Sequence, residues 1–251
     1  MKIRLTLAML LLPVAAAAQT DQVRYSSCVQ QSSSNPQAAL TIANGWTSGG
    51  MPAMHCKALA LIGLKRYAEA ANELDAISKR KDVAPSVLSE VLAQAGNAWL
   101  LAGNPQKADS ALSASLVLNA RDPDVFAGLA RAKAAQKDWA GAEANLNSAL
   151  AITPSRADLL VLRASARHAQ KKKTEARADV EKALNLQPGM ADALVERGSM
   201  KREAGDISGA RTDWRIGGGS RSLMWLSAMD HPPHFDLADL SADAFRRTSP
   251  P

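Results

Sequence analysis

Reactive side chains are few in this 251-residue sequence, and their spacing limits what they can do. Cys28 and Cys56 are its two cysteines. An even pair in an oxidising compartment reads first as a disulfide, with a metal site or a reactive thiol as rivals. His55 adjoins Cys56, but two sulfurs and one histidine lack the four-ligand spacing of structural zinc. His231 and His234 lie near Asp230 and Asp236, yet two prolines separate them and no further ligand follows. His168 has no cysteine or serine partner in a nucleophile pattern and reads as a groove or surface side chain rather than a base. Gly217-Gly218-Gly219 follows no strand and lacks the Lys and Ser/Thr placement of a phosphate loop. No nucleophile elbow is present. The expectation is no catalytic constellation, no metal and no cofactor.

Organisation is far clearer than chemistry. Ala108, Ala142, Ala176 and Ala210 recur every 34 residues. Leu112, Leu146, Val180 and Trp214 follow four residues later, and Gly96, Ala130, Ala164 and Gly198 precede the alanines by twelve. A helix-turn-helix unit repeated at this period cannot bury its apolar faces alone; stacked copies share one core. Small residues let paired helices approach to roughly 8–10 Å, and larger apolar ones fill the space beside them. Gly103-Asn104, Lys137-Asp138 and Gly205-Asp206 mark the turn inside a unit, while Pro154 and Pro188 follow helix ends.

These residues resemble the tetratricopeptide repeat, whose unit has a large residue at position 4, Leu at 7, a small residue at 8, Ala at 20 and 27, and Pro at 32. Residues 123–156 fit well, with Phe126, Leu129, Ala130, Ala142, Ala149 and Pro154 in place. Units at 89–122 and 157–190 fit nearly as well, and 191–219 is incomplete, expected to break at its glycine triplet. A degenerate copy at 51–84 carries Met54, Ala58, Leu61, Ala70 and Leu74, and a longer loop at 82–85 restores the phase. The resemblance implies an all-α, right-handed α-solenoid of antiparallel helix pairs, about five units long. An atypical helical pair is expected at 19–50, a capping helix at 220–230 and a loose tail at 231–251.

The resemblance also implies a concave groove lined by positions 2, 5, 9, 12 and 13 of the leading helices. Position 2 carries Glu90, Asp124, Asp158 and Asp192. The favoured account of these acids is the helix dipole, worth about 0.3–1 kcal/mol each, rather than a ladder for a basic partner. Position 5 supplies Ala93, Ala127, Val161 and Val195 as an apolar floor expected to lie open. Asn97, Arg131 and Ser165 at position 9, with Leu101, His168 and Arg202 at positions 12 and 13, add contacts beside it. Position 5 has no Lys, so the carboxylate clamp of some family members is not expected. A small apolar floor suits an extended or helical segment, hence a protein or peptide partner rather than a small-molecule substrate.

Residues 1–18 have the form of a secretory signal: Lys2 and Arg4, an apolar run over 5–14, and Ala16-Ala17-Ala18 before Gln19. The segment is too short to span a bilayer stably, and no cysteine follows for lipid attachment. Thirty Lys+Arg against 24 Asp+Glu give +6, or +4 without Lys2 and Arg4. The charges interleave; Lys171-Lys172-Lys173 reads as a solvated turn, so no nucleic-acid partner is expected. Export makes the disulfide the favoured state of Cys28 and Cys56, joining the first helix, expected at 22–31, to the third. The expected protein is exported, soluble, without a membrane anchor after cleavage, periplasmic in a Gram-negative cell, and binds its partner in the groove. The alternative is a structural part of an envelope complex, held by its convex face or tail.

Overall fold

The turn residues decide where helices start. Asn104, Asp138 and Asp206 sit at the same place in three of the units, and each side chain accepts a backbone N–H three residues on, at 2.8–3.1 Å. Such caps satisfy one of the orphan donors at a helix start. The residue just before each cap turns left-handed: φ is 73° at Gly103, 62° at Lys137 and 87° at Gly205. Lys171 at 63° and Lys65 at 59° occupy the equivalent places. The degenerate 51–84 copy therefore makes the same turn as the others.

The computed structural model describes residues 12–218, with side chains described from Asp21 onward. It is all-α there, with twelve helices. They are α1 (Leu12–Ser34), α2 (Pro36–Gly45), α3 (Gly50–Gly63), α4 (Tyr67–Ser78), α5 (Pro85–Leu101) and α6 (Pro105–Leu118), then α7 (Pro123–Ala135), α8 (Trp139–Ile152), α9 (Ala157–Ala169), α10 (Lys173–Leu186), α11 (Ala191–Glu203) and α12 (Ile207–Gly218). No helix among the described residues is long and apolar enough to cross a membrane. The expected cleavage point after Ala18 falls inside α1, which exceeds the 22–31 expectation at both ends. α12 continues through Gly217 and Gly218, so the expected break at the glycines does not occur there. A Cβ on Gly217 would meet Ala191 O at 2.9 Å, so the close approach of α12 to α11 uses the missing side chain. The expected capping helix and tail, 220–251, lie outside the described residues.

The chain divides into two units at Ala84–Pro85. In the first, α1, α2 and α3 pack on one another and α3 on α4. Cys28 and Cys56, both fully buried, are bonded between α1 and α3 with Cα atoms 5.9 Å apart, within the ordinary range. Next to that bond, Tyr25 Oη and His55 Nδ1 are hydrogen-bonded at 2.6 Å. His55 is buried and engaged by tyrosine.

In the second unit each helix from α5 to α12 packs on the next, and α5 also touches α7 and α9 touches α11. The 34-residue periodicity is the core. Ala108, Ala142, Ala176 and Ala210 are all fully buried, as are Leu112 and Val180. Leu112 shows how neighbouring pairs interlock. A Cβ on Gly96 of α5 would run into it, and one on Gly128 of α7 would lie 3.1 Å from it. Gly198 is shaped the same way by Trp214, whose Nε1 donates to Val195 O at 3.1 Å.

Candidate binding surface

The groove positions do not behave alike along the second unit. At position 5, Ala93, Ala127 and Val161 are buried, Val161 at 1% exposure, and only Val195 is half-buried. Val161 belongs to the core that includes Leu159, Leu160 and Leu194. The expected open floor is thus core over most of its length, because the small residues let neighbouring leading helices close over it. Position 9 divides likewise: Asn97 and Arg131 are buried, while Ser165 and Ser199 are partly exposed. At positions 12 and 13, Leu101, His168 and Arg202 remain partly exposed.

Two of the acids at position 2, Asp124 and Asp158, are engaged within the fold. Arg156, at the entry to α9, donates to Asp158 through Nε at 2.8 Å and Nη2 at 2.7 Å. Its Nη2 also reaches Asp124 on α7 at 2.9 Å. These two carboxylates, led by Asp158, raise the Arg156 guanidinium further above its ordinary range. Asp124 and Asp158 form one end of a brace between helix pairs, while Glu90 is exposed.

His168 is held by α11. Its Nδ1 lies 2.9 Å from Glu196 Oε1 and its Nε2 3.0 Å from Glu203 Oε1. Ser165 Oγ donates to the other oxygen of the buried Glu196 at 3.1 Å. The Glu196 contact, opposed by burial and helped by Glu203, raises His168 to about 9. The ring is a charged brace between α9 and α11 near neutral pH, not a base.

Charged pairs absent from the sequence expectations join helices within and between the pairs of the second unit. Arg163 forks onto Asp179 at 2.9 and 2.7 Å, and Arg197 onto Asp213 at 2.8 Å twice. Both pairs are 16 residues apart, from position 7 to position 23. Lys57 and Glu73 repeat the spacing in the first unit. A cation where the repeat usually has Leu, with an acid 16 residues later, was the available signal. On the adjoining unit boundary, Glu143 accepts from Arg167 at 2.8 Å, Lys172 at 2.7 Å and Gln170 at 2.9 Å. Burial alone would raise its carboxyl, but these donors outweigh burial and hold it down to about 2. Lys172 and Lys173 are therefore ion-paired, to Glu143 and Glu203, although the turn is exposed as expected.

Helix pairs packed in sequence, with small residues at the crossing points, define the fold of tetratricopeptide-repeat proteins, and this chain has that fold. A tetratricopeptide repeat protein from Parabacteroides merdae is similar over 94% of this chain and 89% of its own, with TM-score 0.60 and 17% identity. YrrB, described as a TPR protein with an unusual peptide-binding site, has TM-score 0.57 at 18% identity, over 74% of this chain and 97% of its own. MamA has TM-score 0.53 at 18% identity, over 66% of this chain and 95% of its own. No protein-family model and no curated protein sequence matches the chain.

Proposed function

We propose that the chain is a non-catalytic scaffold that binds a protein or peptide on the face where α9 and α11 lie side by side. One observation carries this. Ser165, His168, Val195 and Arg202 stay accessible there, while Ala93, Asn97, Ala127 and Arg131 at matching positions of α5 and α7 are buried. His168 is already held in place by the buried Glu196, so a partner would meet a polar group that needs little ordering. The peptide-binding site named for YrrB, a protein of similar fold, is consistent with this use. The basic start, apolar run and Ala16-Ala17-Ala18 support export with cleavage after Ala18, and the Cys28–Cys56 pair suits an oxidising compartment. Intact mass of the protein from the exported fraction tests export; a mass retaining Met1–Ala18 would overturn it. Crosslinking pull-down from the same fraction tests binding. Val195→Glu and Arg202→Glu together should abolish capture with the melting curve preserved; unchanged capture by the folded double variant would move the site elsewhere.

A further inference from the structure

Two contacts latch one helix pair to the next at two boundaries of the second unit. Between α6 and α7, Asp109 Oδ2 lies 2.8 Å from Lys133 Nζ. Between α8 and α9, Glu143 holds Arg167 at 2.8 Å. Both join position 21 of one unit to position 11 of the next, 24 residues later. Beside each, a glutamine at position 14 reaches back to a carbonyl at position 17. Gln136 Nε2 donates to Pro105 O at 3.5 Å, and Gln170 Nε2 to Trp139 O at 3.2 Å.

The boundary between α10 and α11 has neither latch. Arg177 stands at position 21, Lys201 at position 11 and Ala204 at position 14. Two cations replace the acid–base pair, and a methyl group replaces the amide. A cleft of about 410 Å³ opens there, with Arg177, Lys201 and Ala204 on its walls beside His168, Lys173 and Glu203. Most of its charges are already matched. His168 and Lys173 are paired with Glu203, and Lys201 and Arg197 with Asp213. Asp206 caps α12 through Gly209 N. Arg177 is exposed and forms no ion pair with a described residue.

We propose that this cleft docks an aspartate or glutamate side chain of a bound peptide. Its carboxylate takes the place that Asp109 and Glu143 occupy at the earlier boundaries. The inference rests on the peptide-binding reading above and adds the chemistry of the partner. The Arg177 guanidinium offers a fork matched to a carboxylate, and Lys201 a second donor. Met200 and Ala204 give the methylenes of an acidic side chain an apolar wall.

The test uses the full chain and a short, end-blocked, fluorescent peptide of alternating Glu and Ala, with a Gln–Ala peptide as control, read by anisotropy. The acidic peptide should bind, and the control should bind at least about tenfold more weakly. Arg177→Glu restores the acid of the other boundaries. It should weaken the acidic peptide at least about tenfold while raising the melting temperature through pairing with Lys201. Ala204→Gln should weaken binding by filling the space without changing charge. Equal binding of both peptides, or affinity unmoved by Arg177→Glu, overturns the proposal. So does Arg177-dependent binding of inorganic phosphate with no binding of the acidic peptide. Peptide binding that appears only after Asp230, Asp236, Asp239 and Asp243 become Asn would assign the cleft to the chain's own carboxylates and also overturn it. A partner recovered by pull-down whose capture ignores Arg177→Glu removes this inference and leaves the scaffold reading. A pull-down that recovers nothing removes the scaffold reading instead.

Discussion

In α1–α4 the tie between non-adjacent helices is covalent. Cys28 and Cys56 join α1 to α3, and the buried Trp46 lies under Arg24 with the guanidinium 5.5 Å from its ring centre. In α5–α12 the ties are small-residue crossings and charged latches repeated in register, Gly96 on Leu112 and Glu143 on Arg167 among them. The first unit has one helix pair in register, α3 and α4, and two helices that are not. Without copies to share a core, the helices depend on the crosslink. The second unit has four pairs in register and needs none. Periodicity and crosslinking are alternative answers to the same difficulty, a helix pair too small to bury its own apolar face.

Substitutions can break this comparison, and the largest effect belongs to the second unit. Val161→Glu puts an unpaired charge among Leu159, Leu160 and Leu194 and should cost on the order of 3–5 kcal/mol in circular dichroism melting. Val195→Glu, at a half-buried site, should cost under about 1 kcal/mol. Equal costs would mean that position 5 is uniformly open or uniformly closed.

Removing the crosslink comes next. Replacing Cys28 and Cys56 with Ala opens a loop of sequence separation 28 and should destabilise the first unit by about 3–4 kcal/mol in the chain-entropy model. Hydrogen exchange should show faster opening of α1 and α3, with α7–α10 unchanged. Protection lost equally in both units would contradict a local role.

A smaller effect tests the latches through pH. Glu143 has its folded pKa lowered from 4.5 to about 2, so its contribution is present above about 4.5 and lost as pH falls through about 2. His168 has its folded pKa raised from 6.5 to about 9, so its contribution is complete below about 6.5 and lost as pH rises through about 9. The second unit should be most stable between these limits. Glu143→Gln should flatten the acid limb and His168→Asn the alkaline one, each costing about 1–2 kcal/mol in the plateau. Limbs unchanged by these variants would place the titrating groups elsewhere.

The smallest effect concerns what the units share. Lys65 and Lys137 hold positive φ, where glycine sits in two other turns. Lys65→Gly and Lys137→Gly should each add up to about 1 kcal/mol in thermal melts by relieving the side chain's clash with its own backbone. A gain at Lys137 alone would show that the turn of the 51–84 copy is not equivalent.

The repeat, its phase and its turn chemistry were legible in the residues. Ala108, Ala142, Ala176 and Ala210 are small because two helices cross there, and a crossing that recurs with every helix pair leaves a 34-residue period. The four-residue slip before Ser89 was legible for the same reason, but its form was not: instead of a loop at 82–85, the extra residues make the first turn of α5, which starts at Pro85 and has 17 residues where α7, α9 and α11 have 13. The brace of Arg156 across Asp124 and Asp158 was not legible, because those acids alone are equally well explained by the helix dipole. Nor was the burial of Ala93, Ala127 and Val161. Register says that a residue lies on the leading-helix face; it does not say how closely the next helix covers that face. Arg163, Arg197 and Arg177 make the same point. Sequence determined which residues recur at positions 7 and 21. Packing decided that two of these arginines are folded onto carboxylates while the third borders a cleft, because an ion pair depends on where both side chains end, and only the tertiary structure brings those ends together.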